Sequence, residues 1–341
     1  MLQILSTALN AVLPIILLSV FGYWFKRAGF LSAPFVKTGS WFVFHVCLPC
    51  TLFVNVYNIS DFSSVAWDAV IYCVAVVCLL FLLGLVASVL TTKDYRRRGV
   101  LVHAIFRSNF AVIGLSLASA LGGENAMSVA AIVSAFTIPL YNVLGVMSLT
   151  VFSEETVTKR FSFKHFVVSV LENPMIVGSL LGAACILLRL LQNAVFGDVV
   201  FTLKNHLSPA YSVVNSLKTM TTPLALIVLG AQFEFSAVKG LFKEILVGTL
   251  WRIVLAPLIG VGLAVILNRC TDMVSFGLET YPTLIAMFGA PVAVSTAVIA
   301  SEMDGDEQLA TQLVVWTSLG SVVTVYVAVC IMMAVGLLTV A

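Results

Sequence analysis

The chain alternates between long apolar stretches and short polar connections. Ten stretches are apolar over the roughly 20 residues that a helix needs to cross a bilayer. They are residues 6–25, 38–57, 67–91, 100–121, 126–152, 168–191, 209–231, 243–267, 280–301 and 307–338. Together they take up nearly the whole chain and leave no soluble domain. The pattern predicts an all-α integral membrane protein of about ten transmembrane helices.

Composition strengthens this prediction. Of the 341 residues, 60% are hydrophobic and only 10% are charged, whereas a soluble domain is about 25% charged. The lipid bilayer is therefore the expected partner, and a net charge of +2 is too small to indicate nucleic acid. The first stretch is expected to be a transmembrane helix and not a secretory signal, because Lys26 and Arg27 follow its apolar run.

The basic residues predict the orientation of the chain in the cell membrane. Of the 18 lysines and arginines, 12 lie in odd-numbered connections, three lie in even-numbered connections and three lie within stretches. Because cytoplasmic loops carry an excess of lysine and arginine, the odd-numbered connections are predicted to be cytoplasmic. Both termini of this multi-pass protein are then predicted to lie outside.

Internal similarity indicates two halves, residues 1–155 and 156–341. Three pairs of segments match in the same order: Pro14–Gly22 with Pro174–Gly182, the segment around Pro49 with that around Pro223, and the segment from Asn109 with that from Pro291. Five stretches per half is an odd number, so the second half would insert upside down. Inverted repeats are typical of secondary transporters, which hold substrate near the bilayer midplane between broken helices.

The fourth stretch carries polar residues at an unusual depth. Arg107, Ser108 and Asn109 lie about eight residues into an apolar run, where polar groups are costly unless they face a cavity or another helix. Gly114 and Ser116 follow and are expected to loosen the helix.

The ninth stretch contains the sequence Gly289-Ala290-Pro291, which is expected to break its helix because proline lacks an N–H and clashes with the preceding turn. Two interrupted helices at equivalent positions would bring half-helix ends to one centre, where helix N-termini suit a carboxylate. The alternative is that both are ordinary kinks, since proline and glycine are common in membrane helices.

Other polar residues within the stretches keep alternative interpretations. Arg107 either binds an anion or extends its charge to the membrane edge. Arg252 is expected to pair with a loop or a helix end, and Lys218 faces either the cavity or a dimer partner. Tyr141 and Asn142 either line the cavity or pack.

The sequence does not favour an enzyme, a cofactor site or a metal site. None of the four histidines has a partner at metal-ligand spacing, and no nucleophile elbow or phosphate-binding loop is present. The Cys47-Leu48-Pro49-Cys50 segment resembles a redox pair, but its flanks are apolar, so the cysteines are expected to be packing residues.

Seven segments resemble one family in the expected order. They are "FGYWFKRAGFL", "LPCTLF", "FRSNFAVIGLSLASALGG", "NPMIVGSLLG", "TTPLALIVLGAQF", "LWRIVLAPLIG" and "APVAVSTAVIASEMDGD". The chain resembles the auxin efflux carrier family of membrane transporters, which includes plant PIN proteins and bacterial carriers. The resemblance implies two inverted five-helix repeats, related to the fold of the bile acid sodium symporters. Helices one, two, six and seven would form a scaffold and a homodimer interface. Helices three to five and eight to ten would form a transport domain.

The resemblance also assigns roles to residues. Asn109 matches the family's crossover asparagine, a substrate contact, and Pro291 matches the proline that breaks the ninth helix. Family members often have proline at Ser116 and asparagine near Ser295. The predicted substrate-binding residues are Arg107, Ser108, Asn109, Pro291, Ser295, Pro49, Thr51 and Asn142. The predicted helix breaks are Pro49, Gly114, Ser116, Pro223, Gly289 and Pro291.

The function implied is transport of a small organic anion, such as a monocarboxylate, a dicarboxylate or an auxin-like acid. The carrier would work by elevator-type alternating access, either as a secondary active transporter or driven by the membrane potential. One alternative is a sodium-coupled symporter of the bile acid type. Another is a sensor of the same architecture that does not transport.

Overall fold

The computed structural model describes residues 2–58, 67–153, 168, 172–271 and 274–338. These residues are mainly helical. The helices, labelled in chain order, are α1 (Leu2–Arg27), α2 (Ala33–Tyr57), α3 (Trp67–Thr91), α4 (Tyr95–Phe106), α5 (Phe110–Val151), α6 (Pro174–Phe196), α7 (Leu203–His206), α8 (Ser208–Gln232), α9 (Ala237–Cys270), α10 (Thr280–Gly289), α11 (Ser295–Glu302) and α12 (Glu307–Ala334). The predicted all-α architecture is confirmed.

Seven helices of the described chain are long and apolar enough to cross a membrane: α2, α3, α5, α6, α8, α9 and α12. Helix α1 covers the first predicted stretch. The number of long apolar helices differs from the ten predicted stretches because some stretches are broken or joined. The ninth stretch is divided between the short helices α10 and α11, and α5 combines the end of the fourth stretch with the fifth.

Two glycines bend α5 between the fourth and fifth stretches. Gly122 has φ −139° and ψ 15°, and Gly123 has φ +66° and ψ −153°. The conformation of Gly123 is open to glycine but strained for other residues. The bend lies at Gly122-Gly123-Glu124, between the fourth and fifth predicted stretches.

Close helix contacts recur at matching positions of the two halves. Gly22 brings α1 so close to α8 that an added Cβ would overlap the carbonyl group of Ile227. Gly182 brings α6 to α2 in the same way, where a Cβ would lie 2.9 Å from the carbonyl oxygen of Phe53. Gly22 and Gly182 are matched in the sequence, and Ile227 and Phe53 each follow the matched proline by four residues. Small residues allow such close approach in membrane helices.

The helices pack around two apolar cores. One core joins α3, α5, α9, α10 and α12, and the Tyr72 hydroxyl of α3 donates to the Gly260 carbonyl of α9 at 2.6 Å. The second core joins α1, α2 and α8 to α4, α11 and α12. The broken helices lie between these cores and contribute to both.

Ion pairs connect two loops of the same predicted side. Arg96 contacts Asp304 at 3.3 Å, and Arg97 contacts Asp306 and Glu244, both at 3.1 Å. Asp304 and Asp306 of the acidic ninth connection thereby pair with the basic third connection, and Glu244 of α9 adds a further contact. The two loops lie at one end of the molecule, as two odd-numbered connections should.

Several predicted helix breaks are corrected by the structure. Helix α5 continues through Ser116 and α8 continues through Pro223. At Pro49 the chain remains helical, and a π-helical turn at Val43–Cys47 precedes the proline, so the missing N–H is accommodated without a break. Gly114 likewise ends a π-helical turn that continues directly into the rest of α5.

Some predictions fall outside the described residues. They include the boundary between the two halves at residues 155 and 156, and Lys159, Arg160 and Lys164 of the fifth connection.

Candidate functional site

The first break in the helices lies between α4 and α5. Helix α4 ends at Phe106, and Arg107 is extended, with φ −87° and ψ 109°. Asn109 then has φ −79° and ψ 46°, and α5 begins at Phe110 with a π-helical turn. The break therefore coincides with the three polar residues that the sequence singled out.

The second break lies between α10 and α11 and meets the first. Helix α10 ends at Gly289, and Ala290 is extended, with φ −62° and ψ 147°. The Asn109 N–H donates to the Pro291 carbonyl at 2.8 Å, and Ser108 forms an antiparallel bridge with Val292. The two breaks thus cross and share backbone hydrogen bonds, as expected for paired interruptions and not for independent kinks.

Arg252 of α9 holds the carboxyl ends of the two half-helices that finish at the crossing. Its side chain is fully buried. It donates to the carbonyl groups of Ile105 at 3.1 Å and Phe106 at 3.3 Å in α4, and to those of Met287 at 3.4 Å and Phe288 in α10. Because helix C-termini carry partial negative charge, the guanidinium neutralises both ends. This is the pairing with a helix end that the sequence favoured.

The amino ends of α5 and α11 contribute to a cavity of about 90 Å³ on the other side of the crossing. Its walls come from α2 and α8 on one side and from the crossing and α5 on the other. The polar residues that line it are Thr51, Asn55, Arg107, Ser108, Asn109, Tyr141, Thr221, Thr222 and Ser295. Five of the predicted substrate-binding residues are therefore brought together: Arg107, Ser108, Asn109, Ser295 and Thr51.

Arg107 faces this cavity and does not extend to the membrane edge, since its exposure is only 6%. Its guanidinium donates to the Ser295 hydroxyl at 3.0 Å and to the Tyr141 carbonyl at 3.3 Å, and lies 3.4 Å from the His103 ring. No ion pair among the described residues involves it. A buried charge without an opposite charge is costly, so an anion would stabilise this site.

Asn109 supplies a hydrogen-bond donor without a partner among the described residues. The residue is 5% exposed and lines the cavity, and its side-chain amide nitrogen has no hydrogen-bond partner among the described residues. Buried polar atoms nearly always have partners. An unoccupied donor beside Arg107 indicates a place where a ligand or water accepts a hydrogen bond.

A comparison with protein-family models finds a match to the family described as "Membrane transport protein", over residues 7–329. The match covers nearly the whole chain. The protein belongs to this family, the auxin efflux carrier and PIN-like transporters. A comparison with curated proteins finds no significant match.

Membership of the PIN-like family identifies the chain as a multi-pass membrane transporter. Family members are transporters and not enzymes. The crossing and its cavity are therefore the candidate transport site, since an arginine without an ion pair among the described residues and the unpaired amide of Asn109 lie beside an open space there.

Thr221 is a cavity residue of this PIN-like transporter that sequence reasoning missed. Its hydroxyl lies 2.7 Å from that of Thr51, and both hydroxyls donate to the Cys47 carbonyl, at 3.1 and 2.9 Å. The pair joins α2 to α8 at the cavity wall. The internal repeat gave no signal for it, because it pairs Thr221 with Cys47, which was expected to be a packing residue.

Three predicted substrate-binding residues are not in the cavity lining. Pro49 packs where Gly178 of α6 approaches α2, and Pro291 lies within the second break. Asn142 is fully buried, and its amide has no partner among the described residues, but its neighbour Tyr141 reaches the cavity instead. The Cys47 and Cys50 side chains are free thiols.

Proposed function

We propose that the protein is a carrier of a small organic anion that binds at the crossing. The observation that carries this proposal is the position of Arg107. Its buried guanidinium has no acidic partner among the described residues and lies at the wall of a cavity, together with the free amide of Asn109. A carboxylate would accept hydrogen bonds from both groups, and charge-assisted bonds of this kind are strong.

The charges around the crossing favour an anion over a cation. Arg252 neutralises the negative ends of α4 and α10, while the positive ends of α5 and α11 remain directed to the cavity side. The cavity is therefore lined by one arginine, two helix N-termini and neutral hydroxyl and amide groups. This arrangement disfavours sodium at the same place.

The size of the cavity favours a short substrate. One water needs about 10–15 Å³ of such space, so 90 Å³ holds on the order of six to nine water positions. A three- or four-carbon monocarboxylate or dicarboxylate suits this space in the arrangement described. An auxin-like acid with an indole ring would require the cavity to widen.

We further propose that transport follows an elevator-type alternating access. The scaffold would consist of α1, α2, α6 and α8, and it would also form the homodimer interface. The moving transport domain would consist of α3–α5 and α9–α12 and would carry the crossing. The cavity wall supports this division, because Thr51 and Thr221 lie on scaffold helices while Arg107 and Asn109 lie at the crossing. The recurring glycine contacts support two inverted repeats, residues 1–155 and 156–341.

Binding and transport by purified protein test the proposal. A thermal-shift screen against monocarboxylates, dicarboxylates and indole acids should show stabilisation by short acids, because a ligand of the folded state raises its stability. In proteoliposomes the same acids should show saturable transport, with unchanged rates when choline replaces sodium. Stabilisation without transport would favour the sensor, and sodium dependence would favour the symporter.

The variant Asn109→Ala locates the site. We expect it to abolish saturable transport while the protein still elutes as a folded species, because the free amide lies at the cavity. Asn193→Ala on the exposed face of α6 is the matched control and should transport normally. Equal rates for Asn109→Ala and the unmodified protein would remove Asn109 from the site.

A further inference from the structure

A second cavity lies at the lipid-facing side of the molecule, between α1, the end of α8 and α12. It is a groove of about 220 Å³, with an almost entirely apolar lining that includes Val20, Tyr23, Phe235, Trp316 and Leu319. It is separate from the crossing, because the two cavities share no lining residue. An apolar space of this size does not hold water favourably.

The surroundings and the length of the groove match the hydrocarbon of one leaflet. The residues beside it on α1 and α12 point outward and are large and apolar, with Leu17 57% exposed and Val323 63% exposed. Its lining on α1 runs from Ile15 to Tyr23, about 12 Å at 1.5 Å per residue. One leaflet contributes about 15 Å of hydrocarbon. Lipid acyl chains are the apolar groups around the groove in a membrane, and their length matches the length of the groove.

One end of the groove is basic. The Arg27 guanidinium lies 5.4 Å from the centroid of the Tyr23 ring, which lines the groove, and Lys26 is its neighbour. Glu234 is the acidic residue next to the groove lining in the sequence, between Phe233 and Phe235. It is exposed and accepts a hydrogen bond from Ser236. Two cations against one exposed carboxylate favour an anionic headgroup.

We propose that this groove binds one acyl chain of an anionic phospholipid, whose headgroup contacts Lys26 and Arg27. The groove is bounded by α1 and α8 on one side and α12 on the other. In the carrier proposed above, these are scaffold and transport helices, so a bound lipid would stabilise this arrangement of the two. That consequence rests on the proposed function, whereas the binding itself does not.

Fluorescence quenching by brominated lipids tests the site without any transport substrate. The protein is reconstituted in phosphatidylcholine vesicles that contain a small fraction of dibrominated phosphatidylglycerol or dibrominated phosphatidylcholine. The difference between the protein and Trp316→Phe isolates the signal of Trp316 in the groove. We expect preferential quenching by the glycerol lipid, with an affinity gain of about fivefold for each basic residue.

Two sets of variants separate the headgroup from the chain. Lys26→Gln with Arg27→Gln should remove the preference for phosphatidylglycerol and leave equal, weak quenching. Leu319→Phe should reduce quenching by filling the groove, while Val323→Phe, one turn further along α12 and outside the groove, should not. Val315→Phe repeats the filling test from the same helix, in case Leu319→Phe fails to fold.

The outcomes that overturn the proposal are distinct. Equal quenching of Trp316 by both lipids would mean ordinary contact with the bilayer and no headgroup site. Absence of quenching by either lipid would mean that a second copy of the chain or another segment covers the groove. Neither result depends on whether the crossing binds an organic anion, so a failure here leaves the proposed function untouched.

Discussion

The two breaks at the crossing have similar backbones and opposite chemistry. Under the match between the halves, Arg107-Ser108-Asn109 in the first break corresponds to Gly289-Ala290-Pro291 in the second. The first break provides a charge, a hydroxyl and an amide to the cavity. The second provides a backbone carbonyl for Asn109 and packs closely on α12, where a Cβ at Gly289 would lie 3.1 Å from Val325. In the two-repeat architecture proposed above, one copy would thus be specialised for binding and the other for support.

The largest effect is expected at the residue that serves both breaks. Arg252→Met should lower the free energy of unfolding by about 3–5 kcal/mol, because the carbonyl groups of two buried helix ends lose their donors. Thermal unfolding in detergent measures the loss. The stability of Arg252→Lys should fall between that of the unmodified protein and that of Arg252→Met, since lysine keeps the charge but offers fewer fixed donors. Arg269→Met at the exposed end of α9 is the control, with a change within about 0.5 kcal/mol.

The next effect should appear in binding and not in stability. Arg107→Gln should weaken binding of a carboxylate by about 2–3 kcal/mol, or roughly 30- to 150-fold, because it removes the one charge at the cavity wall. Titration of the purified variant with the best acid from the screen measures this change. An unchanged dissociation constant would place the anion elsewhere and would contradict the assignment of binding to the first break.

A smaller effect on stability is expected at the contact that supports the second break. The Val292 N–H donates to the Thr317 hydroxyl of α12 at 3.1 Å. Thr317→Val keeps the shape and leaves this buried donor unpaired, at a cost of about 1–3 kcal/mol. Thr311→Val on the same helix is the control, because the Thr311 hydroxyl has no partner within the described chain. Equal losses in both variants would show that Thr317 does not support the break.

The smallest effect is expected at Pro291. The break is also held by the bond from Asn109 to the Pro291 carbonyl and by Thr317. Pro291→Ala should therefore cost less than about 1 kcal/mol, mainly through the greater freedom of the unfolded chain. Denaturation of Pro291→Ala and Thr317→Val under the same conditions compares their losses in free energy of unfolding. A greater loss for Pro291→Ala would mean that the proline itself creates the break.

The apolar pattern was sufficient to predict the helical stretches, and Gly289-Ala290-Pro291 predicted the position of the second break. The first break was predicted at Gly114 and Ser116 but lies at the polar residues Arg107 to Asn109. Polar residues deep in an apolar run, such as Arg107 and Asn109, have few stable alternatives to a crossing or a cavity. The expectation that Arg252 pairs with a helix end rested on the same reasoning, since a charge at that depth needs partners. These features follow from local sequence and from the cost of burial.

Other features depend on contacts that no single segment contains. Ser116 and Pro223 looked like breaks because of their residue types or their family position, yet α5 and α8 absorb them without interruption. The pair of Thr51 and Thr221 forms only when α2 and α8 are packed side by side. Asn142 and Tyr141 differ in position by one residue, but helix rotation directs only the tyrosine to the cavity.

The ion pairs between the third and ninth connections give the crossing a second point of attachment. Single exposed pairs contribute little, but Arg96 and Arg97 join the start of α4 to the loop between α11 and α12 at several contacts. The two broken segments are therefore fastened both at the crossing and at their outer ends. In the carrier proposed above, attachment at two separated points favours movement of both segments together, so the spacing between Arg107 and Ser295 would be preserved.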